Sequence, residues 1–310
     1  MPAPTPPLNA PRSGRPVLLI VGCGDVGLRV LALLARRWRV LALTSSPGRC
    51  AALRAAGAVP LVGDLDDAAS LHRLAGLADA VLHLAPPPAQ GRTDPRTRRL
   101  LQALALRRPP RCLVYASTSG VYGDCGGEWV AETRPVHPQT DRARRRVDAE
   151  RQLRAWGRAT GVRVSLLRIP GIYALDRDGG RPDERVRRGA PLLRAEDDGY
   201  TNHIHADDLA RACVAALARG AAQRAIQVCD DADEKTGDYY DRVADLCGLP
   251  RSPRVARADA AAHFSPMQWS FLAESRRLDN GRMKRELRLA LRWPTVEACL
   301  RAAGFNGGGG

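Results

Sequence analysis

Seven short apolar runs, separated by stretches with helical periodicity, most constrain what this chain can fold into. The runs predicted as strands are Val17–Val21, Arg39–Leu43, Val59–Val62, Ala80–Leu84, Cys112–Ala116, Val164–Ile169 and Ile226–Cys229. The stretches predicted as helices lie near 25–37, 47–57, 67–77, 94–107, 141–160 and 206–219. Apolar strands that alternate with helices form a parallel sheet covered on both faces. The sequence therefore predicts a doubly wound parallel sheet, the Rossmann type of α/β fold.

Two regions lack this alternation and indicate a smaller C-terminal lobe. We assign the Rossmann domain to 16–173 and 204–230, and a substrate lobe to 174–203 and 231–303. The proline-rich leader 1–15 and the glycine-rich tail 304–310 contain few large apolar groups. Because such segments cannot bury enough apolar surface to fold, we expect both to be disordered.

The chain carries a strong positive charge, which raises nucleic acid as a partner. Its 310 residues include 48 Lys and Arg against 33 Asp and Glu, a formal net charge of +15. However, all but two of the 48 basic residues are arginines spread along the whole chain, and aromatic residues make up only 5%. No nucleic-acid motif accompanies them. An anionic cofactor or substrate explains part of the charge equally well, so we expect a small-molecule partner rather than DNA or RNA.

The cysteines and the apolar runs indicate the cellular compartment in which the protein works. None of the eight cysteines forms a C-x-x-C pair and most lie in apolar segments, as buried thiols do in a reducing compartment. This pattern argues against a zinc site, and we predict no metal site. No apolar run approaches the ~20 residues of a membrane helix. The first run, Val17–Val21, is too short for a secretory signal. We therefore expect a cytosolic protein with no membrane partner.

A G-x-G-x-x-G motif follows the first predicted strand and opens the first helix. It consists of Gly22, Cys23, Gly24, Asp25, Val26 and Gly27. In this context the first glycine permits a tight turn, the second admits a pyrophosphate, and the third lets the helix pack on the strand. The exposed N–H groups and the helix dipole then favour phosphates. The motif predicts a dinucleotide site; the alternative is a glycine turn without a ligand.

The end of the second predicted strand bears on which dinucleotide binds. A site for NAD usually carries an acidic residue there, which binds the ribose diol. This chain has Thr44, Ser45 and Arg49 instead, with no carboxylate among them. Hydroxyls and a guanidinium suit a 2′-phosphate, so we predict NADP(H) in preference to NAD(H). The alternative is that Arg49 is an ordinary surface arginine.

Six segments in order give the chain a family resemblance. They are GCGDVG (22–27), GDLDD (63–67), HLAPPP (83–88), YASTSGVYGD (115–124), LLRIPGIY (166–173) and IHADDLA (204–210). Over most of its length the chain resembles the extended short-chain dehydrogenase/reductases, the NAD(P)-dependent epimerase/dehydratase family. The resemblance implies three further sets of cofactor contacts: Asp64 and Leu65 beside the adenine, Leu84, Ala85 and Pro86 beneath the cofactor, and Pro170 and Gly171 near the nicotinamide.

The resemblance also identifies the positions of the catalytic groups. The family uses a Ser or Thr hydroxyl, a Tyr-x-x-x-Lys pair and an upstream Asn. Thr118 matches the hydroxyl, but the Tyr and Lys positions hold Arg142 and Arg146, and the Asn position holds Asp94. The chain thus departs from the family's pattern at three of these four positions, as an atypical subgroup would.

The residues at these positions can still take part in a hydride-transfer reaction. Thr118 can polarise the substrate oxygen, and Arg146 can hold the nicotinamide ribose. Arg142 can bind an anionic substrate or stabilise an oxyanion, but a guanidinium donates no proton near neutral pH. Proton transfer then falls to Tyr122, Asp94 or water. The alternatives are a solvated helix face for the two arginines and a strand-end hydroxyl for Thr118.

Two functions from different classes follow. The first is an NADP(H)-binding oxidoreductase or epimerase with a non-standard active site, acting on a small anionic carbonyl, hydroxyl or sugar-nucleotide compound. The second is a catalytically silent NADP(H)-binding sensor or protein-interaction module, which the loss of the Tyr-x-x-x-Lys pair favours. Proteins with this fold often pair through helices, so a homodimer is compatible with either function.

Overall fold

The computed structural model describes residues 14–34 and 36–307. The strands in this part of the chain are β1 (Val17–Val21), β2 (Arg39–Thr44), β3 (Val59–Val62), β4 (Ala80–His83), β5 (Cys112–Thr118), β6 (Trp129–Val130), β7 (Arg163–Ile169), β8 (Gly171–Tyr173), β9 (Leu192–Leu193), β10 (Tyr200–Thr201), β11 (His203–His205), β12 (Arg224–Gln227), β13 (Glu234–Lys235), β14 (Arg254–Val255) and β15 (Arg277–Leu278). The α-helices are α1 (Asp25–Leu34), α2 (Cys50–Ala55), α3 (Ala68–Leu71), α4 (Pro95–Ala105), α5 (Asp141–Thr160), α6 (Pro182–Arg187), α7 (Ala206–Arg219), α8 (Thr236–Cys247), α9 (Ala260–His263), α10 (Pro266–Leu272), α11 (Gly281–Glu286) and α12 (Val296–Ala302).

The seven predicted strands form one parallel sheet in the order β12-β7-β5-β4-β1-β2-β3. The predicted doubly wound fold is therefore confirmed. β5 runs two residues further than predicted, to Thr118, and β12 begins at Arg224 rather than Ile226. The chain builds the sheet outward from β1 in both directions, through β2 on one side and β4 on the other. In such sheets ligands bind at the carboxyl ends of the strands flanking this reversal.

Helices cover both faces of the sheet, which explains why its strands are almost continuously apolar. Leu18 and Ile20 of β1 pack into one core with α1, α7 and α11, whereas Leu19 and Val21 pack into the other with α3, α4 and α5. The six predicted helices are confirmed as α1 to α5 and α7. Those predicted near 47–57 and 67–77 each combine a short α-helix with a 3-10 turn.

The ranges assigned to the smaller lobe contain α6, α8, α9, α10 and α12 together with the two-stranded sheets β10-β13 and β14-β9. The sheet β15-β6 joins this lobe to the Rossmann domain, and β11-β8 lies at the boundary between the two. One boundary differs from the expected assignment, because Met283, Leu287 and Leu289 pack into the core shared by α1 and α7. The segment around α11 thus returns to the Rossmann domain, although it lies within the range assigned to the lobe.

The ends of the chain are partly described. Phe305 packs against the core of the lobe, and the Gly307 N–H donates to the Leu246 carbonyl oxygen over 2.9 Å. Residues 304–307 therefore contact the lobe, although they were expected to belong to a disordered tail. Residues 1–13 of the expected leader and residues 308–310 lie outside the described residues. Within the described ranges, none of the helices combines the length and apolar character needed to cross a membrane.

Candidate cofactor and substrate site

The glycine motif forms the turn between β1 and α1, and its three glycines meet three different surroundings. Gly22 has φ +84°, and a Cβ there would lie 2.5 Å from the Ala85 nitrogen, so only glycine fits. A Cβ on Gly27 would lie 3.2 Å from Cys23 Sγ, at the contact between α1 and β1. A Cβ on Gly24 would meet nothing within 4 Å and would project into open space. The motif thus leaves room for a ligand at its second glycine.

A cavity of about 310 Å³, the cofactor cleft, opens between this turn and the carboxyl ends of the central strands. It is lined by Gly22, Gly24, Asp25, Val26, Gly27, Leu84, Ala116, Ser117, Thr118, Arg146, Ile169, Pro170, Ile172, Arg177 and Leu209. The lining includes most of the glycine motif together with the predicted positions Leu84, Arg146 and Pro170. Cys23 is buried beneath the turn, and Gly171 lies one step away in the neighbouring cavity.

The residues after β2 lie beside the glycine turn. Arg49 Nη2 donates to the Cys23 carbonyl oxygen over 2.8 Å, which holds an exposed guanidinium at the rim of the motif. Thr44 is buried, and its hydroxyl accepts from the Ser46 N–H, so it shapes the turn. Ser45 is exposed. Of the three residues predicted to contact a 2′-phosphate, Arg49 is therefore the one held against the glycine motif, although it does not line the cofactor cleft.

The segments that follow β3 and β4 are joined by an ion pair and a hydrogen bond. Leu65 is buried and Asp64 is exposed, as residues flanking a bound ring would be. Arg96 pairs with Asp66 over 2.5 Å and also donates to the Pro86 carbonyl oxygen over 3.3 Å. This arginine fixes the loop after β4 against the loop after β3. Both loops thereby keep their positions at the carboxyl edge of the sheet.

Helix α5 brings Arg146 to the cofactor cleft. The hydroxyl of Thr140 caps the helix by accepting from the Ala143 N–H over 3.2 Å, and this fixes the start of the helix. Arg146 Nη1 then donates to the Tyr115 hydroxyl over 3.0 Å and to the Ala116 carbonyl oxygen over 2.7 Å. These bonds to β5 hold the guanidinium against the sheet rather than in solvent.

Arg142, one turn earlier, lies in a second cavity. This substrate cavity of about 330 Å³ is lined by Thr118, Ser119, Gly120, Arg142, Pro170, Gly171, Arg185, Tyr200, Thr201, Asn202, His203, Thr236, Tyr240, Gln268, Phe271, Leu272, Glu274 and Arg276. The Arg142 guanidinium lies 3.9 Å from the centroid of the Phe271 ring, a cation–π contact. Its burial lowers the pKa of Arg142 from the ordinary value. By contrast, Arg144 on the same helix pairs with Asp141 at the surface.

Thr118 belongs to both cavities and so marks the place where they meet. It ends β5, and its hydroxyl accepts from the Gly120 N–H over 3.3 Å. Its position between the two cavities is what a hydroxyl that binds the reacting oxygen requires.

Glu274 is a functional candidate that the sequence did not reveal. Among the described residues it is the one carboxylate that lines the substrate cavity, and it accepts from Arg276 Nη1 over 2.7 Å. A Cβ built on Gly120 would lie 3.6 Å from Thr118 Oγ1 and 3.9 Å from Glu274 Oε2, so both oxygens lie close to Gly120 in the lining of this cavity. Glu274 lies far from Thr118 in the sequence, in a region without periodicity, and no motif signals it.

Tyr122, one of the three predicted candidates for proton transfer, lies away from both cavities in the structure. Its ring is buried, and its hydroxyl accepts from Arg168 Nη1 over 2.8 Å and from Gln227 Nε2 over 2.9 Å. Burial raises the pKa of this hydroxyl. Tyr122 lines neither cavity, because the turn after β5 directs its side chain into the core.

Asp94, the second side chain predicted as a candidate for proton transfer, also lies away from both cavities. It is buried as the N-cap of α4, where its carboxylate accepts from the Thr97 N–H over 3.2 Å and the Thr97 hydroxyl over 2.7 Å. The Thr97 hydroxyl also lies 3.0 Å from His83 Nε2, and burial lowers the pKa of His83 to about 3. Asp94 therefore completes a buried polar chain and lines neither cavity.

The residues of the cofactor cleft fit a nicotinamide dinucleotide. The open space at Gly24, the N-terminus of α1 and the cations of Arg146 and Arg177 all face the same cavity. Phosphate groups are favoured at a helix N-terminus and beside guanidinium groups. The cleft therefore offers a cradle for the phosphates at one end and the hydroxyl of Thr118 at the other.

Comparisons with known proteins agree with this geometry. The profile of the NAD dependent epimerase/dehydratase family matches residues 18–229. A dTDP-glucose 4,6-dehydratase from Mycolicibacterium smegmatis is 28% identical over 218 residues, which cover 62% of this chain and 65% of the relative. The chain thus spans just under two thirds of that relative's length.

Two solved structures share the fold. A functionally unknown conserved protein from Silicibacter pomeroyi superposes with a TM-score of 0.77 at 30% identity, covering 93% of this chain and 99% of its own. The UDP-glucose 4-epimerase of Thermotoga maritima superposes with a TM-score of 0.75 at 18% identity, covering 92% and 96% of the two chains. Since the family profile spans more than half of the chain, this protein belongs to the NAD dependent epimerase/dehydratase family.

Proposed function

We propose that this protein is an NADP(H)-dependent oxidoreductase or epimerase that acts on a small anionic carbonyl, hydroxyl or sugar-nucleotide compound. The observation that carries the proposal is the shared position of Thr118, at the junction of the cofactor cleft and the substrate cavity. A hydroxyl at this junction can bind the oxygen of a substrate carbon that faces the nicotinamide. When bound, the nicotinamide supplies or accepts a hydride at that carbon.

The cofactor would be held by residues of three segments. The glycine turn at Gly22 and Gly24 would take the pyrophosphate, Arg49 the 2′-phosphate, and Arg146 the nicotinamide ribose. Arg146 is already fixed by its two bonds to β5, so it loses little freedom on binding. A fixed cation at this place can replace the lysine of the family's pattern in binding, although it transfers no proton.

The charge of the substrate cavity favours an anionic substrate. Arg142, Arg185 and Arg276 line it, whereas Glu274 contributes the single negative charge. Arg142 has no carboxylate partner within salt-bridge distance in the described part of the chain, and its guanidinium carbon lies 3.9 Å from the centroid of the Phe271 ring. The donor edge of this guanidinium is thus available to bind a carboxylate or phosphate of the substrate.

Proton transfer in this site falls to Glu274. In the oxidation direction Glu274 Oε2 would accept the proton of the substrate hydroxyl as the carbonyl forms, while Thr118 Oγ1 hydrogen-bonds the same oxygen. Glu274 would return the proton when the carbonyl is reduced. Arg142 would stabilise negative charge on that oxygen without titrating.

The experiment is a substrate screen with purified protein and NADPH or NADP⁺. Sugar nucleotides and small carbonyl or hydroxy acids are supplied, and the absorbance of the reduced nicotinamide and the products are recorded. For any substrate that reacts, Glu274→Gln should lower kcat and change its dependence on pH, while Arg301→Gln on the exposed face of α12 should match the wild type. Reaction of neutral but not anionic compounds would contradict the proposed substrate class, and an unchanged Glu274→Gln profile would remove Glu274 from the reaction.

A silent NADP(H)-binding module is the second candidate function. The observation that favours it is the presence of arginine at both the Tyr and Lys positions of the family's pattern. A sensor of this kind would bind NADPH and NADP⁺ with affinities that differ by more than about tenfold, or ~1.4 kcal/mol. It would transfer no hydride to any compound in the screen. Equal affinities together with turnover would exclude it.

A further inference from the structure

The loop after β8 contributes one residue, Arg177, to the lining of the cofactor cleft. We call residues 174–180 the strap. The strap is compact, because the Ala174 N–H donates to the Gly180 carbonyl oxygen over 3.2 Å and the Gly180 N–H donates to the Arg177 carbonyl oxygen over 3.0 Å. These two bonds fix the backbone conformation of the strap and therefore the position of the Arg177 Cα.

Two charged residues anchor the strap on the glycine turn and α1. Asp176 pairs with Arg29 of α1 over 2.6 Å, and Arg29 also pairs with Asp207 of α7 over 2.5 Å. Arg177 forms a short ion pair with Asp25, the residue that follows the second glycine of the motif. Arg177 thus lines the cofactor cleft beside Gly22 and Gly24, although it comes from a segment far along the chain.

The charged side chains beside the glycine turn suit the binding of a phosphate group. Asp25 alone would repel the phosphates that the glycine turn is shaped to receive, because like charges at short distance oppose each other. Arg29 of α1 pairs with Asp25 over 3.2 Å, and Arg177 adds a second cation to the same carboxylate. Only one of the five N–H donors of Arg177 is used in its pair with Asp25. Its side chain is still 26% exposed, so the remaining donors can reach a ligand in the cleft.

We propose that Arg177 is a pyrophosphate-binding residue, which Asp25 holds over the glycine turn until a dinucleotide binds. This inference rests on the proposed function, since it assigns a further residue to the same cofactor cleft. The guanidinium would then turn its donors from the carboxylate of Asp25 to the pyrophosphate, so that Asp25 competes with the ligand for Arg177. The strap would act as a cover that ties the two lobes to the bound cofactor.

The two partners of this ion pair should have opposite effects on binding. Arg177→Gln should weaken NADPH, NADP⁺ and NADH alike by about 10- to 100-fold, the range for a charge-assisted hydrogen bond. Asp25→Asn should tighten the binding of all three by about fivefold, the size of one Coulomb contact in water. If the pair served only to hold the strap, both substitutions would weaken binding together.

Gly180→Ala provides a test that keeps every charge. A Cβ on Gly180 would lie 2.5 Å from Arg177 Cδ, so alanine there must displace the arginine side chain. Calorimetric titration with NADPH should show weaker binding for this variant and for Arg177→Gln, but not for Arg301→Gln. Equal dissociation constants for Arg177→Gln and wild type, or weaker binding in Asp25→Asn, would overturn the inference while leaving the proposed function intact. A wild type that binds no dinucleotide would overturn both.

Discussion

The guanidinium of Arg49 donates a 2.8 Å hydrogen bond to the carbonyl oxygen of Cys23, inside the glycine motif. This bond places a cation from the segment after β2 beside the turn that faces the cofactor cleft. Arg49 was predicted only from its place in the sequence, where an acidic residue would indicate NAD. A purely structural arginine could make the same bond, so cofactor titrations are needed to separate a binding role for Arg49 from a role in shaping the turn.

Arg49→Gln should weaken the binding of NADPH by about 10- to 100-fold and leave that of NADH unchanged. The physical reason is the loss of charge-assisted bonds to the 2′-phosphate, which only NADPH carries. Calorimetric titration with both cofactors measures the effect. Arg54→Gln on the exposed side of α2 is the matched control and should bind as the wild type does. An equal loss for the two cofactors would show that Arg49 acts on the turn itself.

Alanine substitutions at the first two glycines of the motif should affect different properties: stability for Gly22 and dinucleotide binding for Gly24. Gly22→Ala should lower the free energy of unfolding by about 1–3 kcal/mol, because it adds strain at a positive φ and a Cβ within 2.5 Å of Ala85. Gly24→Ala should fold with normal stability and lose dinucleotide binding, since its Cβ would enter open space in the cleft. Denaturant unfolding and NADPH titration separate the two. Normal NADPH affinity in Gly24→Ala would place the pyrophosphate elsewhere.

Thr118→Val should lower kcat for a substrate found in the screen by about 10²-fold, the cost of removing a donor to a developing oxyanion. The affinity for NADPH should stay within about twofold, because the Thr118 hydroxyl is assigned to the substrate oxygen and not to the cofactor. Steady-state kinetics and titration give the two quantities. The same substitution at Thr160, exposed at the end of α5, should change neither. Full activity in Thr118→Val would remove the hydroxyl from the reaction.

Tyr122→Phe should destabilise the fold without affecting the site. The substitution removes the acceptor for Arg168 and Gln227 in the core, which costs about 1–3 kcal/mol. Denaturant unfolding should show this loss, and NADPH titration should show an unchanged dissociation constant. If instead stability is kept and turnover is lost, Tyr122 takes part in catalysis after all.

The unfolding free energy should fall as the pH is lowered from 7 to 5. Burial lowers the pKa of His83 to about 3 and that of His203 to about 4, whereas an unfolded histidine titrates near 6.5. Below about pH 6.5 these two histidines bind protons in the unfolded chain but stay neutral in the folded chain. The free energy of unfolding therefore falls by up to ~1.4 kcal/mol per pH unit for each group. His83→Asn should reduce the slope of stability against pH. A slope equal to the wild type's would mean that His83 is protonated in the fold.

The sheet could be predicted from the sequence because its strands are buried on both faces. Leu18 to Val21 alternate between two cores, and such strands remain visible as apolar runs whatever the details of packing. The positions of Arg142 and Arg146 were also accessible from the family's Tyr-x-x-x-Lys pattern. Helix α5 carries Arg142 to the substrate cavity and Arg146 to the cofactor cleft.

Side-chain directions and long-range contacts could not be predicted. Tyr122 and Asp94 have suitable chemistry at plausible positions, but a turn and a helix cap direct them into the core. Glu274 and Arg177 lie in segments without periodicity, and only the folded lobe brings them to Thr118 and Asp25. The spacing of residues along the chain carries no information about such tertiary contacts.

The central claim is that the cleft binds NADP(H) in preference to NAD(H). The most direct test is a calorimetric titration of the wild-type protein with NADPH, NADP⁺, NADH and NAD⁺ under one set of conditions. We predict that the two phosphorylated cofactors bind at least about tenfold more tightly than their counterparts, a difference of ~1.4 kcal/mol. Equal affinities, tighter binding of NAD(H), or no binding of any of the four would contradict the claim.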